Sequence, residues 1–251
     1  MHIKVQKRNP HNLTIRQHIF PQSIIKKFCD SSGCVDFFDL KSATIKKITP
    51  KDILFCTKRV WDEQAESGYM KSIEERFLNI ANEATFNKTK KLSQAENIAV
   101  SEMHILWKLR EQYRDCYPDA IMLNGMLPPH NLPSIDEQEK CEAVHVISMD
   151  SEGKIPARNM LGITIQKHIM AYRKTFSGYI WAKVYSHNAE FIVPDQPKYN
   201  IMPFNPTACF IQGEVNKRLT YEATREVNLY QLAAVKSFYW GHNLSQCPSI
   251  K

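Results

Sequence analysis

The sequence predicts an α+β fold in one compact domain spanning residues 1–251. Three observations carry that expectation. Apolar residues alternate in short runs within the first 60 residues. They recur at three- and four-residue spacing through the middle. Alternation then returns in the last third, before one more helix. The chain divides into an N-terminal basic strand region (1–60), a helical middle (61–175) and C-terminal strands with a helix (176–243). Strands, then helices, then strands require the two ends to meet across the central helices to complete a mixed or antiparallel sheet.

Taken in order, Pro21 opens a short helix, since its missing N–H has no partner in a first turn anyway. Ile24, Ile25 and Phe28 give that helix an apolar side. "CVDFFDL" and "SATIKKI" read as two strands joined by a turn at Lys41 and Ser42. "PKDILFCTKRVWD" reads as a loop with a short strand. A helix over about 66–87 carries Met70, Ile73, Phe77, Ile80 and Ala84 on one stripe. A second, about 94–115, opens on a capping box of Ser93 and Glu96. "MLPPHNLP" marks a break, and "SIDE" caps a helix over about 134–149. A further helix is expected over about 157–173. "GYIWAKVYS" and "AEFIVP" read as strands around a turn at His187 and Asn188, followed by "YNIMPF" and "ACFIQG". The last helix is expected over about 221–240, through Val227, Tyr230, Ala234 and Phe238. Pro194 and the prolines after it cannot donate to a ladder, so their strands must lie at sheet edges or be interrupted.

The bulk composition narrows the function classes. The chain has 251 residues, 43% hydrophobic and 24% charged, an ordinary globular balance. No apolar run reaches the roughly 18 residues of a membrane span, and the start lacks the apolar core of a secretory signal. Seven scattered cysteines without a CxxC pair predict reduced thiols in the cytoplasm and no zinc ribbon. HExxH, GxSxG and Gly-rich phosphate loops do not occur, and eight glycines leave little room for a nucleotide cradle. The net charge of +7 is localised: residues 1–60 hold twelve Lys and Arg against four Asp, a surplus of eight. Such asymmetry suits a polyanionic partner, nucleic acid or an acidic protein, or is simply a solvated surface. Arg16, Lys26, Lys27, Lys46, Lys47, Lys58 and Arg59 are the candidate nucleic-acid contacts.

Charges on helix faces that should be buried are the candidates for a site. At about 100° per residue, Arg110 falls about 40° from the centre of the apolar stripe of the second long helix, and Glu102 about 40° to the other side. A charge facing a core is costly unless paired, so Arg110 requires a carboxylate. Glu74, on the flank of the neighbouring stripe, Glu66 near its centre and Asp195 in "FIVPDQP" are the candidates, whereas Glu75 points to solvent. Such a pair either fixes helix packing or builds a pocket. Asp195 is either a turn-former or a site acid. His18, just before a helix start, is a cap or a general acid–base, its pKa lying near neutrality. His104, His145 and His168 are expected on helices as surface or packing residues.

The blocks "RQHIFPQSIIKKF", "YMKSIEERF", "SEMHILWKLREQYR", "EFIVPDQP" with "IMPFNP", and "VNLYQLAAVKSFYW", in this order over about 16–243, resemble the bacterial family catalogued as domain of unknown function 4238. Pro194 and Gln196 depart from its pattern. The resemblance implies a shared constellation of His18 with Pro21, Glu74, Arg110, Asp195 with Pro197, Pro203 with Pro206, and Asn228. It also implies an accessory-genome protein of the kind found in bacteria and phages, which leans toward conflict biology.

Three functions from different classes follow. In the first, the protein is a ribonuclease-like toxin or defence effector, RNA being the favoured nucleic acid. His18 is then the general acid–base, Arg110 holds a phosphate, and Glu74 and Asp195 orient them or bind one divalent cation such as Mg2+. In the second it is a non-catalytic subunit of a defence or toxin–antitoxin complex. In the third it is an NAD-using transferase with Tyr179, Trp181 and Tyr185 lining a pocket, although aromatics at spacing two also form one face of a strand.

Overall fold

A computed structural model describes residues 5–117, 119–122, 125, 133–149 and 152–250. Residues 126–132, most of the expected proline-rich break, lie outside the described residues. The fold is α+β, as expected. Its strands are β1 (Arg16–His18), β2 (Val35–Asp39), β3 (Thr44–Ile48), β4 (Cys56–Lys58), β5 (Ile121–Met122), β6 (Lys154–Ile155), β7 (Trp181–Ser186), β8 (Val193–Pro194), β9 (Ile201–Asn205), β10 (Ala208–Gln212), β11 (Lys217–Leu219) and β12 (Phe238–Gly241). Its helices are α1 (Gln22–Ile25), α2 (Lys71–Phe86), α3 (Gln94–Tyr113), α4 (Ile135–Ala143), α5 (Ala157–Phe176) and α6 (Tyr221–Leu232).

Two four-stranded sheets frame the core, ordered β3-β2-β12-β8 and β11-β7-β10-β9. The first joins the two ends of the chain: β2 pairs antiparallel with β12, placing Phe37 opposite Trp240. Alternation decides what each face meets. On β7, Trp181, Lys183 and Tyr185 face the helices, while Ala182 and Val184 join Phe191, Cys209 and Val227 on the α6 side. Trp181 donates its indole N–H to Ser101 Oγ at 2.7 Å, and the Tyr185 hydroxyl donates to Ala84 O at 2.6 Å. Both aromatics are therefore tied to the helices by their polar groups. Prolines fall where missing N–H groups do least harm: Pro194 lies in β8 and Pro203 in β9, each an edge strand.

The helices begin where their caps place them. Ser93 Oγ accepts from Glu96 N at 3.3 Å while the Glu96 carboxylate accepts from Ser93 N at 2.6 Å, and Ser134 with Glu137 repeats the device. The helix ends differ more from expectation. The helix from 135 stops at Ala143, and His145 lies beyond it at φ +65°, so His145 is not a helical residue. The last helix stops at Leu232, because Asp195 captures the next turn and the aromatic run Phe238–Trp240 is drawn into the sheet as β12. Tyr230, expected on its apolar stripe, is exposed. β7 and β8 do not form a hairpin around His187 either. The chain passes there from one sheet to the other, held by Glu190 N donating to Gln246 O and Phe191 N to Pro206 O.

Three cysteines, Cys56, Cys209 and Cys247, and, among the described residues, one histidine, His104, are buried. All seven cysteines are free. Among the described residues no helix is long and apolar enough to cross a membrane. His104, on α3, is buried with its ring N–H on Tyr199 O at 3.0 Å, and burial pushes its pKa down to about 4. As pH falls below 6.5, the unfolded chain takes a proton on this imidazole that the folded protein refuses, so stability falls between pH 6.5 and 4. The loss is on the order of 3 kcal/mol. Gln keeps a donor and does not titrate, so urea melts should show His104→Gln gaining on the wild type by about that amount over this window; a pH-independent difference would refute the assignment.

Candidate functional site

The site is built where α3 passes under α2 and the ribbon β1–β4. Gln17 on β1 points inward and binds the chain around Trp61 from both sides. Its Oε1 accepts from Val60 N at 2.8 Å and Trp61 N at 3.3 Å, and its Nε2 donates to Trp61 O at 2.8 Å. That fixes Trp61, fully buried, with its ring 5.5 Å from the Arg110 guanidinium carbon. His18, the next residue after Gln17, faces the opposite side of β1.

Arg110 is 1% exposed and meets two carboxylates. Its Nη1 is hydrogen-bonded to Glu74 Oε1, and its Nη2 lies 3.6 Å from Glu66 Oε2. The Trp61 indole N–H donates to the same Glu66 oxygen at 2.5 Å. Burial alone would lower the guanidinium pKa, but Glu74 and then Glu66 more than offset this and keep Arg110 charged. Burial pushes the Glu66 carboxyl up, with Arg110 pulling it back.

Glu66 reaches Arg110 through an irregularity. Residues Ala65–Met70 form a π-helical turn leading into α2, broken at Gly68 (φ −97°, ψ −109°). Such insertions change which side chains face inward and recur at functional sites. Here the turn supplies Glu66 and also Tyr69, whose hydroxyl donates to Gly162 O at 2.8 Å and whose pKa burial raises. Trp61 and Tyr69 were not singled out from the sequence. The signal was the isolated glycine inside a helical pattern.

His18 completes the group. Its Nε2 lies 3.0 Å from Pro50 O, and a carbonyl can only accept, so Nε2 carries the proton and the Nδ1 lone pair is left free in the neutral ring. Burial lowers its pKa below 6.5, with the Pro50 hydrogen bond and Glu74 opposing and Arg110 and Lys26 adding to the shift. At neutral pH the ring is therefore uncharged, a base with a fixed tautomer beside Glu74 and Arg110.

The structure thus pairs Arg110 with Glu74 and adds Glu66, and His18 lies near enough for the charges of Glu74 and Arg110 to bear on its titration. Asp195 does not join them. Its carboxylate is occupied by Lys236 N at 2.9 Å, Ser237 N at 2.7 Å and Phe238 N at 3.4 Å, which sets the turn from α6 into β12. Asn228, buried within α6, accepts from Ile192 N and donates to Glu190 O and Pro248 O. Among the described residues no group of three His, Cys, Asp or Glu is placed to hold a metal ion.

The expected nucleic-acid contacts separate into two kinds. Arg16, Lys26, Lys46 and Lys58 are exposed, without an ion pair among the described residues. Lys27 is bound to Asn82 Oδ1 at 2.5 Å. Lys47 is shared between Asp30 at 2.7 Å and Asp36 at 2.9 Å. Arg59 is removed from the surface altogether: its side chain is buried against Glu142 at 2.7 Å, which Arg158 also binds at 2.5 Å. Glu102, the other charge on the α3 stripe, is a second staple, joining Arg76 of α2 at 2.8 Å to Arg173 of α5 at 2.5 Å.

A cavity of about 560 Å3 lies elsewhere, lined by Gln94, Ile98, Phe176, Tyr179, Trp181 and Val215 among others. It sits at the start of α3, about 24 Å along the helix from Arg110, and takes in two of the three aromatics expected to line a pocket. Tyr179 and Trp181 reach this cavity, but Tyr185 does not.

Truncating Arg110 to Ala leaves two carboxylates facing one another around a hole. It should cost about 3–5 kcal/mol in chemical denaturation. Adding Glu74→Gln and Glu66→Gln should return part of that loss, since the uncompensated charge goes with them. An Arg110→Ala protein within 1 kcal/mol of wild type would show that the cluster is not the packing constraint inferred here.

No family model matches the chain, and neither the curated proteins nor the solved structures gave a match.

Proposed function

We propose that the protein is a nucleic-acid-directed effector, acting as a ribonuclease-like toxin or defence protein, with His18 as its general base. The observation that carries this reading is the state of His18: neutral at pH 7, its Nε2–H held by Pro50 O, its Nδ1 free, and its ring beside the Glu74–Arg110 pair. A base is most effective when its pKa lies near or below the working pH and its lone pair is fixed in direction.

In this reading Nδ1 takes the proton from a ribose 2′-hydroxyl. The 2′-oxygen bonds to the adjacent phosphorus, and the bond to the leaving 5′-oxygen breaks as that oxygen draws a proton from water. Lys26, exposed and near enough to His18 to affect its charge, supplies positive potential at the phosphate. Arg110 is enclosed by protein, so its part is to position Glu74, and through it the field around His18, rather than to touch a phosphate.

The enclosure of Arg110 also favours a second reading, a non-catalytic subunit of a defence or toxin–antitoxin complex, in which the cluster serves helix packing alone. Expression in a bacterium separates the two. Wild-type protein should arrest growth, and His18→Ala, equally folded by thermal melt, should not. Purified protein should cleave RNA with or without magnesium. The rate should rise with pH along a limb whose apparent pKa lies below 6.5, then level off as the imidazole loses its proton. Intact RNA and DNA under every condition, or equal arrest by His18→Ala, overturns the enzymatic reading.

A further inference from the structure

We infer that the outer face of the β1–β4 ribbon is a track for a nucleic-acid backbone, with Arg16 and Lys58 clamping one phosphate next to the one that His18 faces. This deepens the function proposed above and rests on it for the identity of the anion.

Register gives the geometry. In the antiparallel pair Arg16 stands opposite Lys58 and His18 opposite Cys56, with Gln17 opposite Thr57 between them. Cross-strand partners share a face, and residues two apart share it as well. Gln17 and Thr57 are buried, tied to Trp61 O and Arg114 O. Arg16, Lys58, His18 and Cys56 therefore occupy the other face together, which is open to solvent at Arg16 and Lys58, half-covered at His18 and closed over Cys56. Two residues of strand span about 7 Å, comparable to the reach from one phosphate to the next along an extended single strand.

The charge arrangement is unusual for a purely structural surface. Like charges directly opposite one another on a ribbon are destabilising. The neighbouring cations that build the fold have acids: Lys47 has Asp30 and Asp36, and Arg59 has Glu142. Arg16 and Lys58 have none among the described residues, yet face each other next to His18, whose Nδ1 has no hydrogen bond among the described residues. An anion between them converts repulsion into a two-cation site. Cys56 adds no competing nucleophile, since burial pushes its thiol up to about 11 and Sγ lies on Asp52 O. The inferred ligand is thus a polynucleotide at least two nucleotides long, not a free mononucleotide.

The test uses full-length His18→Ala protein, so binding is read without cleavage. Anisotropy of a labelled uridine decamer should show tight, salt-sensitive binding, while uridine monophosphate at similar concentration competes poorly. Arg16→Gln and Lys58→Gln should each weaken decamer binding several-fold and lower the slope of log affinity against log salt by about 0.7. Both should melt at or above the parent temperature, because a repulsion is removed. Lys91→Gln, beside the distant cavity, should change nothing. Unchanged affinity and salt slope in both clamp variants overturns the inference. Clamp-dependent binding by a protein whose wild type cleaves nothing upholds the track and removes the proposed chemistry.

Discussion

The structure depends on one buried cation. The Arg110 guanidinium is withdrawn from water and held by Glu74 of α2, Glu66 of the π-helical turn and the ring of Trp61. All three partners lie in the single stretch 61–74, so satisfying Arg110 fixes how that stretch meets α3. The cost of desolvating such a group is recovered only when its geometry is complete. This makes the cluster a specification of packing more than a source of net stability. Gln17 extends the constraint to β1 by binding Trp61, and His18 inherits its position from Gln17. A half-buried imidazole is thereby placed by interactions that lie almost wholly in the interior.

Burial also sorts the basic residues of the N-terminal third. A run of cations in sequence looks like a single electrostatic feature, but the fold divides it. Arg59 is drawn inside to meet Glu142, Lys47 is shared by two aspartates, and Arg16, Lys26, Lys46 and Lys58 remain at the surface. Exposed cations without a partner contribute most to the field that a long-range partner meets. Glu102 and Glu142 each hold two arginines, the inverse of the site, where one arginine holds two carboxylates.

Much of this was legible in the sequence where the information is local. The Ser93 and Ser134 boxes, the stripe of α2 and the hairpin β2–β3 are short-range patterns, and they form as written. Arg110 was identifiable because a charge near the centre of an apolar stripe demands a partner, and the helical phase alone selected Glu74 and Glu66 over Glu75. What failed was non-local. The run from Val227 to Phe238 keeps a helical period, yet the sheet claims Phe238–Gly241, since those aromatics gain more against Phe37 and Phe28 than at the end of a helix. Asp195 reads as a loop acid, and nothing nearby shows that its partners lie about forty residues on. Arg59 and Lys58 are adjacent cations in sequence; only the turn that buries one distinguishes them.

The pairing of β2 with β12 has a consequence for how the chain is assembled. About two hundred residues separate these neighbours, so a growing chain presents the hairpin β2–β3 long before its next strand exists. Until then the free edge of β2 and the side chains of Val35 and Phe37 have no cover, the condition in which a nascent polypeptide invites aggregation or a chaperone. The order of synthesis thus leaves the first sheet to be sealed last.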